Sequence, residues 1–235
     1  MKIGICAIVK NEGEYLEEWM NHHRKLGISH FFIYDNNSDS PLYRNEGDYI
    51  YKLWNDDNHA SQLRAYMDCA NKWKNDIDWM CFIDTDEFIM TKNYQSIEQI
   101  LTETKEKYGS FQGLGLSWRM YGKQEPYFNY RQPIEKYTQY HENNHIKSIL
   151  NPKFIINFPD PHKAILNGIY INENGKPINH PLEKHTSENI WIKHTWTRSS
   201  NEFMDKILRG TGDKVVRQRT MQDFFNYNNE CILND

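Results

Sequence analysis

No stretch of this 235-residue sequence approaches the ~20 consecutive apolar residues that a membrane-spanning helix needs. The opening run Met1-Lys2-Ile3-Gly4-Ile5-Cys6-Ala7-Ile8-Val9 is apolar but short. It meets Lys10-Asn11-Glu12 with no small-residue cleavage site, so it reads as a buried strand and not as a secretory leader. A basic excess is also lacking. With 28 Lys and Arg against 32 Asp and Glu, the formal charge of −4 argues against a nucleic-acid partner. Cysteine is scarce: Cys6, Cys69, Cys81 and Cys231 show no metal-ligand spacing, and three sit in apolar stretches. Free thiols in a reducing compartment follow, with the cytoplasm, against the inner face of a membrane, as the expected location. Repeats, linkers and low-complexity segments are absent, so residues 1–235 are expected to form a single domain.

What is abundant is aromatic: 15 Tyr, 11 Phe and 7 Trp, which suit a packed α/β protein and not a disordered one. Residues 1–9, 30–34, 49–53 and 79–83 read as strands. Between them, Tyr15, Leu16, Trp19, Met20, His23 and Leu26 share one helical face, with Asn11 as the expected cap and Gly27 as the stop. Leu63, Tyr66, Met67, Ala70 and Trp73 mark a second amphipathic helix. This alternation predicts a mostly parallel, Rossmann-like central sheet flanked by helices over residues 1–92. Residues 93–235 are less regular. Helices are expected at 96–108, 200–208 (capped by Ser200) and 214–228, and strands at 113–118, 153–158, 168–171 and 190–195. Residues 119–144 read as a polar, Tyr-rich excursion.

Two polar clusters, at 35–40 and 84–87, fall at the carboxyl ends of predicted parallel strands, where open α/β sheets bind ligands. In Asp84-Thr85-Asp86-Glu87 the first and third side chains project to the same side of an extended backbone. Two converging carboxylates call for a cation, and oxygen donors of this kind suit Mg²⁺ or Mn²⁺. Such an ion would also grip a diphosphate and assist its departure as a leaving group.

The residues at 7–12, then Tyr15, Glu17-Glu18-Trp19 and His22-His23, and then Gly27 through Asp39, resemble glycosyltransferase family 92 and its bacterial relatives in the family-2-like GT-A clan. Gln62, Tyr66, Cys69, the run from Phe82 to Phe88, Trp118-Arg119-Met120-Tyr121-Gly122, His194 and Arg198 through Phe203 with Arg209-Gly210 extend the resemblance over most of the chain. It implies a GT-A fold with a nucleotide-sugar half (1–92) and an acceptor-side half (93–235). It implies that Ala7, Val9, Asn11 and Glu12 line the base pocket and that Asp35 meets the uracil or ribose. Asp84 then serves the metal site by touching the ribose or a metal-bound water, Asp86 ligates the metal directly, and His194 is a late third ligand. Apart from the resemblance, Lys206 and Arg209 offer positive charge that either steadies the diphosphate or faces solvent. The donor is expected to be a UDP-sugar, with galactose favoured, the outcome inversion, and the acceptor a glycan or lipid-linked glycan in surface-polysaccharide synthesis.

An inverting reaction needs a base for the acceptor hydroxyl, and Glu125, Asp160 and Glu87 are the candidates. His162 is a rival to His194. His141, His145, His180 and His185 lack zinc-ligand spacing. Trp118, Tyr121, Tyr127, Phe128, Tyr130, Tyr137 and Tyr140 offer rings for stacking on an acceptor sugar, or for packing on one another. Lys214, Arg217 and Arg219 form a small basic element suited to an anionic membrane. Two other readings stand beside this one. The first is a non-catalytic nucleotide- or carbohydrate-binding protein on the same scaffold. The second is a sugar nucleotidyltransferase, which the acidic, glycine-poor Lys10-Asn11-Glu12-Gly13-Glu14 disfavours.

Overall fold

The computed structural model describes residues 1–41, 45–122, 131–184, 186–209 and 218–235. Strand β1 (Ile3–Val9) leads through α1 (Gly13–Lys25) to β2 (His30–Asp35). A two-residue β3 (Asn45–Glu46) and β4 (Tyr49–Leu53) follow, and α2 (Ser61–Trp73) returns the chain to β5 (Trp79–Phe82). Then come β6 (Glu87–Thr91), α3 (Ile97–Tyr108), β7 (Gly113–Gly122) and β8 (Gln139–Leu150). Short strands β9 (Ile155–Asn157), β10 (Ile165–Leu166) and β11 (Tyr170–Asn172) precede β12 (Ile190–His194). The chain closes with α4 (Ser200–Arg209), α5 (Met221–Glu230) and β13 (Leu233–Asn234).

The main sheet runs β3-β4-β2-β1-β5-β8-β7-β12-β6. Strands β4, β2, β1 and β5 are mutually parallel, as the alternation of strands and helices requires. Successive side chains of β1 point to opposite faces. Ile3, Ile5, Ala7 and Val9 pack in one cluster with Leu16 and Trp19 of α1 and Ile100 and Leu101 of α3. Cys6 packs on the other face with Phe32, Tyr34 and Tyr66, Cys69 and Ala70 of α2. The chain thus winds from β1 to β2 over one face and returns to β5 over the other. That reversal opens a crevice at the carboxyl ends of β1 and β5.

Beyond β5 the sheet is mixed. Strand β8 is antiparallel to both β5 and β7, β12 is parallel to β7, and β6 is antiparallel to β12. Two sequence expectations change here. The polar excursion is in part a long hairpin: β7 continues to Gly122, and β8 already begins at Gln139. The outer end of β8 is half exposed and carries no apolar alternation, while Ile146 to Leu150 are buried. Strand β6, placed directly after the acidic motif, was not anticipated, because its five residues merge with that motif in sequence.

Cap assignments shift too. Asn11 takes a left-handed φ of 56° and bonds into the 38–39 turn, leaving Glu12 as the cap residue of α1 without a side-chain cap bond. Helix α4 is capped by Ser199 and not Ser200: Glu202 N–H donates to Ser199 Oγ, and Ser199 N–H donates to the Glu202 carboxylate. The last helix begins after Thr220, whose side chain forms a capping box with Asp223. Gly27 ends α1 as expected, its φ of 87° lying where only glycine is unstrained.

Central placement of β8 carries a testable consequence. Ile149 is fully buried, so Ile149→Ala should cost about 2–5 kcal/mol in urea unfolding. Ile156→Ala, at a position 57% exposed, should change stability by less than about 0.5 kcal/mol. Equal effects would place β8 outside the core.

Candidate active site

Side chains from several elements hold the acidic motif. Asp84 leaves the end of β5; its Oδ1 accepts from Gln62 Nε2 of α2 at 2.8 Å, and its Oδ2 from Lys147 Nζ of β8 at 3.0 Å. Thr85 Oγ1 donates to Glu12 at 3.2 Å. Asp86 Oδ2 accepts from Lys206 Nζ of α4 at 2.6 Å, and its Oδ1 stands 3.6 Å from His194 Nε2. Glu87 is fully buried, with its Oε2 accepting the Asp84 amide at 2.8 Å and 3.3 Å from Lys147 Nζ. The motif's backbone is strapped to β12 and α1: Thr195 N–H donates to Asp86 O at 2.9 Å, and Trp19 Nε1 donates to Glu87 O at 2.8 Å.

Charges this deep persist only when paired. Lys147 is fully buried; desolvation opposes its charge, but Asp84 and Glu87 hold it protonated well above the usual lysine range. Burial works against the Asp86 carboxylate as well, yet Lys206 and His194 keep it well below the ordinary range. Glu87 is pushed the other way, well above the carboxylate range, by burial and by its acidic neighbours. Arg198, with a φ of 51°, pairs with Glu12 at 2.8 Å and lies 3.6 Å over the Tyr15 ring.

On the other side of Glu12, Val9, Glu12, Asp35, Ser38, Tyr49 and Tyr51 line a small cleft. Asp35 is buried there, accepting from the Ser38 amide at 3.0 Å and the Tyr51 hydroxyl at 3.0 Å. The structure therefore brings Val9, Glu12 and Asp35 to one cleft. Asn11 flanks it, its amide N–H donating to Ser38 Oγ at 2.8 Å. Ala7 does not line it: its side chain is fully buried in the core beneath β1.

Of the candidate bases, Glu87 lies out of reach of an acceptor, because burial closes both of its oxygens to a sugar hydroxyl. Asp160 is partly exposed, and its Oδ1 is fixed by the amides of His162 and Lys163 at 2.7 and 3.0 Å. Glu125 lies outside the described residues, as do His185, Lys214, Arg217, the side chain of Arg209 and the rings of Tyr127, Phe128 and Tyr130. Tyr121 is fully buried against Trp191 and Tyr140, a packing role and not a sugar platform. Trp118 stands beside the site: its ring meets His194 edge-on at 4.4 Å and lies about 5 Å from both His145 and His162. Arg219 of the basic element lies 5.9 Å over the Trp196 ring.

Among the described residues no group of three or more His, Cys, Asp or Glu side chains is arranged to hold a metal. A hard divalent ion that keeps waters and substrate oxygens needs only one or two carboxylates. The donor set fits that mode. Two ligands about 2.1 Å from one ion stand roughly 3–4 Å apart, as Asp86 Oδ1 and His194 Nε2 do. His194 Nδ1 and Glu87 Oε1 are buried without hydrogen-bond partners and lie 3.9 Å apart. A metal-bound imidazole commonly has such a carboxylate behind its other nitrogen. Asp84, engaged by Gln62 and Lys147, is placed for an outer role.

Lys147 and Arg198 are the residues that sequence reasoning did not assign. The signal for Lys147 was a lone lysine inside Ile146-Lys147-Ser148-Ile149-Leu150, a charge in a run that is otherwise buried.

A mixed α/β sheet with an acidic strand end and an adjoining cleft defines a ligand-binding α/β protein of the doubly wound kind. Within that class the chain belongs to glycosyltransferase family 92, whose family model matches residues 3–203. A family 92 protein of Ricinus communis is 33% identical over 89 residues, covering 36% of this chain and 16% of that protein. One of Arabidopsis thaliana is 30% identical over 97 residues (39% and 17%), and one of Oryza sativa subsp. japonica is 28% identical over 102 (41% and 18%). The matches thus span less than a fifth of these relatives' length. Among solved structures, S. aureus TarS residues 1–349 superpose with a TM-score of 0.40 at 14% identity, covering 65% of this chain and 47% of that one.

The histidines around Trp118 generate a pH prediction. Burial, with Lys147 and His145 nearby, pushes the His162 imidazole down to about 2, so it stays neutral in the fold. In the unfolded chain it gains a proton below about pH 6.5. The unfolded state then binds more protons, and stability falls as pH drops through that point. At pH 5 this one residue should cost up to about 2 kcal/mol. Urea midpoints of the wild type and His162→Gln at pH 7.5 and pH 5 should differ in slope by that amount, and parallel slopes would refute it.

Proposed function

We propose that this chain is a glycosyltransferase that moves a sugar from a UDP-sugar, with UDP-galactose the first candidate, to a hydroxyl of a glycan or lipid-linked glycan. Mn²⁺ or Mg²⁺ is the proposed cofactor, inversion the proposed outcome, and surface-polysaccharide synthesis at the inner face of a membrane the proposed setting. The observation that carries this reading is the position of Asp84 and Asp86. They lie beyond the carboxyl end of β5, next to the cleft of Val9, Glu12 and Asp35, in a chain of family 92. Among the described residues no helix is long and apolar enough to cross a membrane.

In this reading the cleft takes the nucleoside, with the Asp35 carboxylate and the Ser38 and Tyr51 hydroxyls as its polar partners. Asp86 and His194 would hold the cation, which when bound supplies Lewis-acid neutralisation of the diphosphate. Lys206 and Arg198 are positive charges beside it. They favour the charge that develops on the departing diphosphate, Arg198 without reorganisation because Glu12 already orients it. Asp160, steadied by two backbone amides, is the proposed base among the described residues. It would accept the proton of the acceptor hydroxyl as that oxygen attacks the sugar carbon.

Calorimetric titration of UDP in the presence of Mn²⁺ should show binding that EDTA abolishes and that Asp86→Ala weakens at least about tenfold. UDP binding under none of these conditions would sink the UDP-sugar reading. Binding without transfer across a panel of UDP-sugars and glycan acceptors would favour a non-catalytic protein on the same scaffold.

A further inference from the structure

We infer that Lys206 is a built-in counter-ion that competes with the divalent cation for Asp86, so that cation and nucleotide diphosphate bind as a cooperative pair. The inference rests on the donor-site reading above and concerns how that site is filled. The Lys206 ammonium lies 2.6 Å from Asp86 Oδ2 and 2.7 Å from the Trp196 carbonyl, and its residue is 6% exposed. Asp86 is therefore already neutralised one-for-one. A dication arriving at Oδ1 and His194 Nε2 meets a carboxylate whose charge is spent and an ammonium on its far oxygen. At that separation like charges repel strongly wherever water is excluded.

A diphosphate reverses this balance. Its oxygens attract the dication and offer Lys206 a new acceptor. An ammonium has three donors, and the Trp196 carbonyl can keep one of them while Asp86 is released. Lys206 then passes from pairing with Asp86 to gripping the diphosphate without leaving its place on α4. By linkage, whatever factor UDP adds to the affinity for the ion, the ion adds to the affinity for UDP. Asp84 is not gated in the same way, because Gln62 as well as Lys147 engages it.

The test is Mn²⁺ binding, followed by electron paramagnetic resonance of the free ion, with and without UDP, on wild type, Lys206→Met and Lys206→Arg. In the wild type UDP should tighten Mn²⁺ by about tenfold or more. Lys206→Met should bind Mn²⁺ without UDP about tenfold more tightly than the wild type and lose most of the UDP effect, and Lys206→Arg should retain the coupling. Should Lys206→Met fold poorly, its melting temperature is the second readout: Mn²⁺ alone should raise it by more than it raises the wild type's. Equal Mn²⁺ affinity and equal melting shifts in wild type and Lys206→Met would overturn this inference alone. No Mn²⁺ binding by any form, with or without UDP, would overturn the donor-site reading and this inference with it.

Discussion

Everything in this protein's polar centre depends on matching carboxylates, Asp84 and Asp86 partly exposed among them, with buried positive charge. Glu12, Asp84 and Asp86 converge where the parallel strands end, and Lys147, Arg198 and Lys206 meet them at 2.6–3.0 Å. Removing one partner of a buried pair typically costs several kcal/mol, because the survivor is stranded away from water. The arrangement therefore fixes the relative positions of β5, β8, β12 and α4 more sharply than apolar packing alone. A carboxylate strapped by both a lysine and a backbone amide has few other places to go. In the proposed function this network supplies the strict positioning that a transfer site needs.

The fold contributes the geometry in which such a network makes sense. A doubly wound parallel half leaves a crevice where the path reverses, and the antiparallel hairpin of β7 and β8 closes its far side. Lys147 can reach Asp84 only because β8 lies beside β5 in register, with Phe82 opposite Ser148. Strand β6 runs beside β12 with Glu87 opposite His194, which puts the imidazole beside the acidic motif. Membership of family 92 fits a site built in this way.

The parallel half was legible in the sequence because each strand there is a short apolar run, and each helix keeps its apolar face on one stripe. Asp84, Asp86, Glu12 and Asp35 were legible for the same reason, since a polar cluster at the end of a buried strand has few structural excuses. The second half was harder. Gln139 to His145 form the outer end of a central strand, yet their side chains are largely polar and half exposed, so no period of two appears. Glu87 looked like a chemical group because its charge was visible and its burial was not. Lys147 was overlooked for the converse reason: an apolar setting hides what a lysine is for until the partner strand is known. Ser199 and Ser200 are equivalent as caps on paper, and only the reciprocal bonds with Glu202 separate them.

The charges that balance one another are far apart along the chain. The acids all lie before residue 90, whereas their partners come 63 residues later for Asp84, 120 for Asp86 and 186 for Glu12. A polypeptide leaving the ribosome would display its carboxylates long before the matching cations had been synthesised. The first half of the sheet can collapse on its apolar faces, but its polar end remains solvated and open until β8 and α4 arrive. The paired site can therefore be completed only once β8, β12 and α4 have joined the sheet half that carries the acids. A fragment carrying the acidic motif alone would keep its carboxylates and none of the cations that balance them in the fold.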